Sequence, residues 1–202
     1  MARFTVPKQQ IEFIVNRHHV GDSDDAIRAD IRERAQKLKN KHNLVPGLAV
    51  IIVGNDPASA VYVRNKVRAC GEVGINSEVT RFDEATSEAQ LIEHIQKLNA
   101  NPAVHGILVQ LPLPQTISVR RILEAIAVEK DVDGFHPVNV GLLGIGDTDR
   151  ALVPCTPAGS MILLERAARA LRLSQPTAFR HVQQLEETLA TELVFGAGKA
   201  VV

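Results

Sequence analysis

Strands alternating with amphipathic helices predict an α/β fold: a three-layer domain with a small parallel sheet, followed by a C-terminal helical hairpin of helix-turn-helix-like form. Three observations carry this expectation. Leu48-Ala49-Val50-Ile51-Ile52-Val53 is a short, continuous apolar run ending at Gly54, as expected of a strand buried on both faces. Two further strand-like segments, Ser77 to Phe82 and Ile107-Leu108-Val109, are separated from it and from each other by helical spacing, which implies parallel strands covered on both sides. From Ser160 to about Leu193 the pattern is helical throughout.

Residues 1–44 read as helical. Two stretches between Lys8 and Asn40 are separated by Gly21-Asp22-Ser23-Asp24. Ser23 or Asp22 can cap the second, in which Ile27, Ile31 and Ala35 recur every fourth residue. After the first strand, Asp56-Pro57 supplies an acidic N-cap and a proline preset for the first turn, and the helix runs to about Val73, stopped by Gly74. Ser87-Glu88-Ala89-Gln90 has the pattern of a capping box, with Leu91, Ile92, Ile95 and Leu98 on one face behind it. Val119 to Ala127 is a further helix. Residues Val132 to Pro157 are rich in Gly and Pro and read as an ordered connecting loop. The domain boundary falls at 159/160, dividing an α/β domain of residues 1–159 from a helical segment of residues 160–202.

The composition excludes several classes. The 202 residues are 45% hydrophobic and 23% charged, with 23 basic and 23 acidic side chains, so no whole-molecule field draws the chain to nucleic acid or anionic lipid. No apolar run approaches the ~20 residues of a membrane span, and the N-terminus lacks the apolar core of a signal peptide, which points to the cytoplasm. Cys70 and Cys155 lie far apart and His18-His19 are adjacent. Neither arrangement has metal-ligand spacing, so no metal is expected.

Three constellations can carry chemistry. Tyr62 and Lys66 are four apart on the first crossover helix and share a face, where a shielded lysine beside a phenol can transfer protons. The alternative is a solvated Lys and a half-buried Tyr. Gln110 leaves the third strand ahead of Leu111-Pro112-Leu113-Pro114, at the carboxyl edge where open parallel sheets gather ligands. In Lys130-Asp131-Val132-Asp133-Gly134 a carboxylate can accept two parallel N–H bonds from an amino-pyrimidinone, or the Asp-Gly can simply form a turn.

These segments occur in one order with Pro46-Gly47-Leu48-Ala49-Val50, Gly54-Asn55-Asp56-Pro57-Ala58-Ser59, Gly106-Ile107-Leu108-Val109-Gln110-Leu111-Pro112-Leu113-Pro114 and Pro154-Cys155-Thr156-Pro157-Ala158-Gly159. Residues 45–159 thereby resemble the folate-binding catalytic domain of methylenetetrahydrofolate dehydrogenase/cyclohydrolases. The resemblance implies that Lys66 is the general acid/base and that Tyr62 packs beside the substrate, along with Leu111. It further implies that Gln110 orients or polarises Lys66 and that Asp133 holds the pterin. The substrate would be a tetrahydrofolate derivative, oxidised with NADP or NAD and then hydrated to the 10-formyl product. No glycine loop opening a helix is seen in the sequence, so the NADP-binding domain is expected to be missing and the dehydrogenase step absent, leaving folate binding with little turnover. Cys155 reads as a packing residue.

Ala167 to Glu187 resembles the helix-turn-helix of LysR-type transcription regulators, so the chain looks composite, joined near Pro157-Ala158-Gly159-Ser160. Ala167, Ala168 and Leu171 would pack the first helix, Arg172-Leu173 would turn, and Ser174 would cap the second, with Pro176 in its first turn. The resemblance implies that Gln175, Thr177, Arg180 and Gln183 face DNA. Phe179 departs from the small polar residue usual at its position, and a monomer with so few basic contacts would bind DNA weakly at most. The alternative is a helical pair that caps the folate domain. The expected partner is therefore a small-molecule folate, with no membrane.

Overall fold

A computed structural model describes residues 24–174 together with 176, 177, 180, 181, 183 and 184. The chain divides into two compact units, Met1–Pro154 and Cys155–Val202. The first helical stretch expected near the N-terminus, and the Ser23 or Asp22 cap, lie outside the described residues.

In the first unit, helix α1 (Asp24–His42) precedes strand β1 (Gly47–Val53), helix α2 (Pro57–Val73), strand β2 (Asn76–Phe82), helix α3 (Glu88–Ala100) and strand β3 (Gly106–Val109). Helix α4 (Val119–Ala125), a 3-10 turn (Val128–Lys130) and helix α5 (Pro137–Gly144) follow. The three strands are parallel in the order β2-β1-β3. The order reverses at β1, because β2 and β3 lie on opposite sides of it, so a topological switch point opens between the carboxyl ends of β1 and β3.

Local signals account for the element ends. The Asp56 carboxylate accepts from the Ser59 amide at 2.7 Å and starts α2. Gly74, at φ 82°, ends it in the left-handed conformation that glycine adopts without strain. Ser87 and Gln90 close α3 as a reciprocal capping box.

Alternate residues of the sheet feed two cores. Ala49, Ile51, Val53, Ile107 and Val109 pack with Leu91, Ile95 and Leu98 of α3 and with Ile122 of α4. On the other face Val50, Ile52 and Leu108 pack with Val63 of α2 and with Val132. This is the expected three-layer arrangement. Ile51, Leu91, Ile95 and Ile122 are wholly buried, each contributing about 1.5–3 kcal/mol relative to an exposed side chain.

Four expectations are corrected. The segment from Val132 to Pro157 is not one loop, since it contains α5 and the first turn of helix α6 (Cys155–Ala170). Pro137 stands in the first turn of α5, and the imidazole of His136 accepts the Val138 amide at 3.1 Å, so its proline starts a helix rather than preventing one. Helix α4 stops at Ala125, two residues early, because Ile126 and Ala127 turn to extended backbone. In the second unit, α6 begins at Cys155 rather than near Ser160. Among its described side chains Leu164 and Ala168, four apart, are buried, whereas Ala167 is exposed and Leu171 is 67% exposed.

Candidate functional site

The carboxyl edge of the sheet gathers the first set of expected residues. Lys66 lies on α2, which leaves that edge immediately after β1, and its Cα–Cβ bond tilts back toward the helix N-terminus and hence toward the edge. Tyr62 lies one turn earlier on α2, and its side chain is outside the described residues. The Gln110 amide N–H donates to the Ile51 carbonyl at 2.9 Å, extending the β3–β1 ladder by one residue. Its side-chain Nε2 donates to the Leu111 carbonyl at 2.8 Å. Leu111 is partly buried and joined to Pro112 by a cis peptide bond.

Asp133 arrives from the other side of β3. Asp131 pairs with Ile107 in a parallel bridge, so the chain through Val132 to Asp133 runs beside β3 toward its carboxyl end. Gly106 makes this approach possible, since a Cβ there would stand 2.3 Å from Val132 Cγ1.

The two aspartates of this segment have different surroundings. The Asp131 carboxylate is buried and accepts from the His136 amide and from Asn139 Nδ2, each at 2.8 Å. The Asp133 carboxylate takes no hydrogen bond from another of the described residues. Burial pushes it above the usual carboxylate range, the Lys66 ammonium pulls it partly back, and Asp131 adds to the rise. Lys66 also acts on Cys70, one turn further along α2, whose thiol burial pushes up and Lys66 draws down. An ammonium from α2 and a partly buried carboxylate from beyond β3 therefore interact at the switch point. A carboxylate of this kind can accept N–H bonds from a ligand, and an ammonium can exchange a proton with it.

Asn139 is a site residue that sequence reasoning passed over. It is 0% exposed. Its amide nitrogen donates to Asp131 and, at 3.2 Å, to the Val128 carbonyl, while its oxygen accepts the Leu152 amide at 3.1 Å. The available signal was the His136-Pro137 helix start, which puts Asn139 in the first turn of α5.

The other candidates lie in the second unit. Cys155 opens α6 and is partly buried. In the second unit Arg172, at φ 53°, makes the turn. Ser174 Oγ accepts the Thr177 amide at 3.3 Å and lies 2.8 Å from Thr177 Oγ1. Arg180 reaches back to that hydroxyl at 3.4 Å, and Gln183 is exposed. Gln175 lies outside the described residues. Thr177 is thus engaged in the cap rather than presented outward.

Four described helices begin with a side-chain cap: Asp56 on α2, Ser87 on α3, Ser118 on α4 and His136 on α5. Among the described residues no group of three His, Cys, Asp or Glu could hold a metal ion, and no helix is long and apolar enough to cross a membrane. A groove of about 320 Å³ lies at the opposite, amino edge of the sheet, lined by Arg32, Ala35 and Lys39 of α1 with Val73, Ile75 and Asn76.

Residues 21–133 match the family "Tetrahydrofolate dehydrogenase/cyclohydrolase, catalytic domain". Residues 164–201 match "Bacterial regulatory helix-turn-helix protein, lysR family". The chain is 57% identical over 141 residues to the bifunctional protein FolD of Moorella thermoacetica, covering 70% of this chain and 49% of that protein. Among solved structures it resembles the FolD methylenetetrahydrofolate dehydrogenase/cyclohydrolase of Campylobacter jejuni, at 46% identity and a TM-score of 0.67, over 71% of this chain and 50% of that one. It also resembles the Trypanosoma brucei enzyme complexed with NADP cofactor and inhibitor, at 35% identity and a TM-score of 0.67, over 71% and 49% of the two chains. The chain spans about half the length of the curated relatives it matches.

Proposed function

Because this chain belongs to the tetrahydrofolate dehydrogenase/cyclohydrolase family, we propose that its switch-point site binds a tetrahydrofolate derivative and moves protons for the cyclohydrolase step. The observation that carries this reading is that α2, bearing Lys66, leaves the carboxyl edge of β1, while the Asp131–Asp133 segment runs beside β3 to the same edge.

Asp133 accepts two N–H bonds from the amino-pyrimidinone edge of the pterin, which suits a carboxylate whose other described neighbours leave its lone pairs to a ligand. Leu111 and Tyr62 flank the ring. Lys66 then serves as the proton-transfer group. In the hydration of a 5,10-methenyl cation, water adds to the bridging carbon and gives up one proton to the Lys66 amine. The ammonium so formed returns that proton to N5 as the C–N5 bond breaks, and the remaining hydroxyl proton leaves to solvent as the formyl C=O forms on N10. Gln110, at the same edge, offers an amide oxygen that can orient the ammonium. NADP would supply the hydride acceptor for the dehydrogenase step where it is bound.

The reading is tested by titrating tetrahydrofolate into the protein calorimetrically. Saturable heat is expected for the wild type and not for Lys66→Ala combined with Asp133→Ala. Cyclohydrolase turnover, where measurable, should fall by about 10²–10⁴-fold in Lys66→Ala. Identical heats for the wild type and the double variant would overturn the assignment.

The match at residues 164–201 favours a second reading for the other unit. The chain joins segments of two families, and the helix capped by Ser174 gives weak, sequence-independent contact with duplex DNA. Among the described residues of this unit, Arg166, Arg169, Arg172 and Arg180 are exposed cations. A gel shift with a Kd of roughly 10⁻⁴ to 10⁻⁶ M, weakened by salt and by Arg180→Ala, is expected. The absence of any shift at low salt would remove this reading and leave the folate reading untouched.

A further inference from the structure

We propose that Asn139 is a positioning residue for this site: fully buried, it ties three separate segments together and so holds the loop that presents Asp133. The inference rests on reading Asp133 as the pterin carboxylate.

Each bond of Asn139 reaches a different stretch of chain: the Val128 carbonyl in the 3-10 turn, the Asp131 carboxylate, and the Leu152 amide beyond α5. The loop is closed between these anchors. The Gly134 amide donates to the Asp131 carbonyl at 3.3 Å, and the His136 amide to the Asp131 carboxylate. Gly134 itself, at φ 71°, passes so near the Leu152 segment that a Cβ would stand 2.3 Å from the Leu152 carbonyl. The segment that Asn139 holds by its amide is therefore the one against which the residue after Asp133 is packed. Removing the Asn139 side chain leaves the Val128 carbonyl, the Leu152 amide and the Asp131 carboxylate each short of a buried partner. The strain then falls on the turn carrying Asp133. The charged groups acting on Asp133 from the packed elements are Lys66 of α2 and Asp131 of its own loop, and Asn139 touches the second of these directly.

A double-mutant cycle separates positioning from simple loss of stability. Asn139→Ser, Asp133→Asn and their combination are titrated with tetrahydrofolate at a temperature where circular dichroism shows all four proteins folded. Asn139→Ser should weaken binding about tenfold in the wild-type background and less than about twofold beside Asp133→Asn, since its effect passes through Asp133. Equal losses in both backgrounds, or no loss in either, would overturn the proposal.

The ligand-independent readout is the Asp133 carboxyl resonance followed by ¹³C NMR against pH. In Asn139→Ser its midpoint should fall toward that of an ordinary carboxylate as the loop opens to water, and an unmoved midpoint would sink the proposal. If the wild type binds no folate at all, the proposed function fails by itself, while the NMR titration still decides whether Asn139 positions Asp133.

Discussion

The two edges of the sheet treat their charged residues differently. At the amino edge, Lys130 donates all its hydrogen bonds to main-chain carbonyls: Leu98 at 3.0 Å, Asn99 at 2.7 Å and Asn101 at 2.9 Å, closing the end of α3. His105 and Gly47 bond reciprocally, through His105 Nδ1 at 3.0 Å and the Gly47 carbonyl at 2.8 Å. At the carboxyl edge, Lys66 interacts instead with a carboxylate that burial disfavours. The difference teaches that one edge is built to be satisfied by its own chain, whereas the other keeps acceptor capacity for something else. A stability survey alone would rank the first as the more important.

The comparison can be broken from the amino edge with the largest effect. Gly47→Ala places a Cβ 2.0 Å from the Ala103 carbonyl oxygen. Backbone rather than a flexible side chain would have to move, and about 3 kcal/mol of stability should be lost in denaturant titration. A loss below measurement would mean that this edge is slack. Lys130→Met comes next. It keeps the aliphatic stem but removes the cap on three carbonyls, and should lower stability by about 2 kcal/mol while leaving folate affinity unchanged. A selective loss of affinity would show that the two edges are coupled.

The smallest change has the opposite sign. The Asp133 carboxyl is raised in the folded protein, so its folded form holds protons that the unfolded chain has released. Its contribution to stability is fully present below the unfolded value of about 3.9 and is lost as pH rises through the folded one. Asp133→Asn should therefore stabilise the protein at neutral pH, by on the order of 0.5 kcal/mol, with a gain that shrinks on acidification, while folate binding is weakened to a still measurable level. His105 runs the other way. Burial, with Lys130 second, depresses its imidazole against a weaker opposing bond to Ala103, so its contribution is present above about 6.5 and lost as pH falls through the folded value. A melting temperature for Asp133→Asn equal to that of the wild type across this range would show that Asp133 carries no burial penalty.

Much of the fold was legible because its signals are local. The run Leu48–Val53, the Asp56-Pro57 start, the Gly74 stop and the Ser87/Gln90 box each concern residues within one turn or strand, and each is realised where the spacing places it. Helix α5 was not legible in the same way. Its Gly and Pro weigh against a helix when counted, although Pro137 in the first turn favours one. Lys66, Gln110 and Asp133 were named from motif resemblance, but nothing in their spacing says which aspartate of Asp131-Val132-Asp133 is saturated.

By itself, then, the amino-acid order determined the parallel α/β alternation, the caps that bound each helix and the residue types offered to a ligand, because periodicity and capping are short-range physics. The tertiary structure alone decided that β1 lies between β2 and β3, that Asp131 rather than Asp133 is tied off by Asn139, and that Lys66 from one helix interacts with a carboxylate 67 residues later. Those outcomes depend on burial and on which distant groups share a low-dielectric space, and only the folded chain brings such groups together.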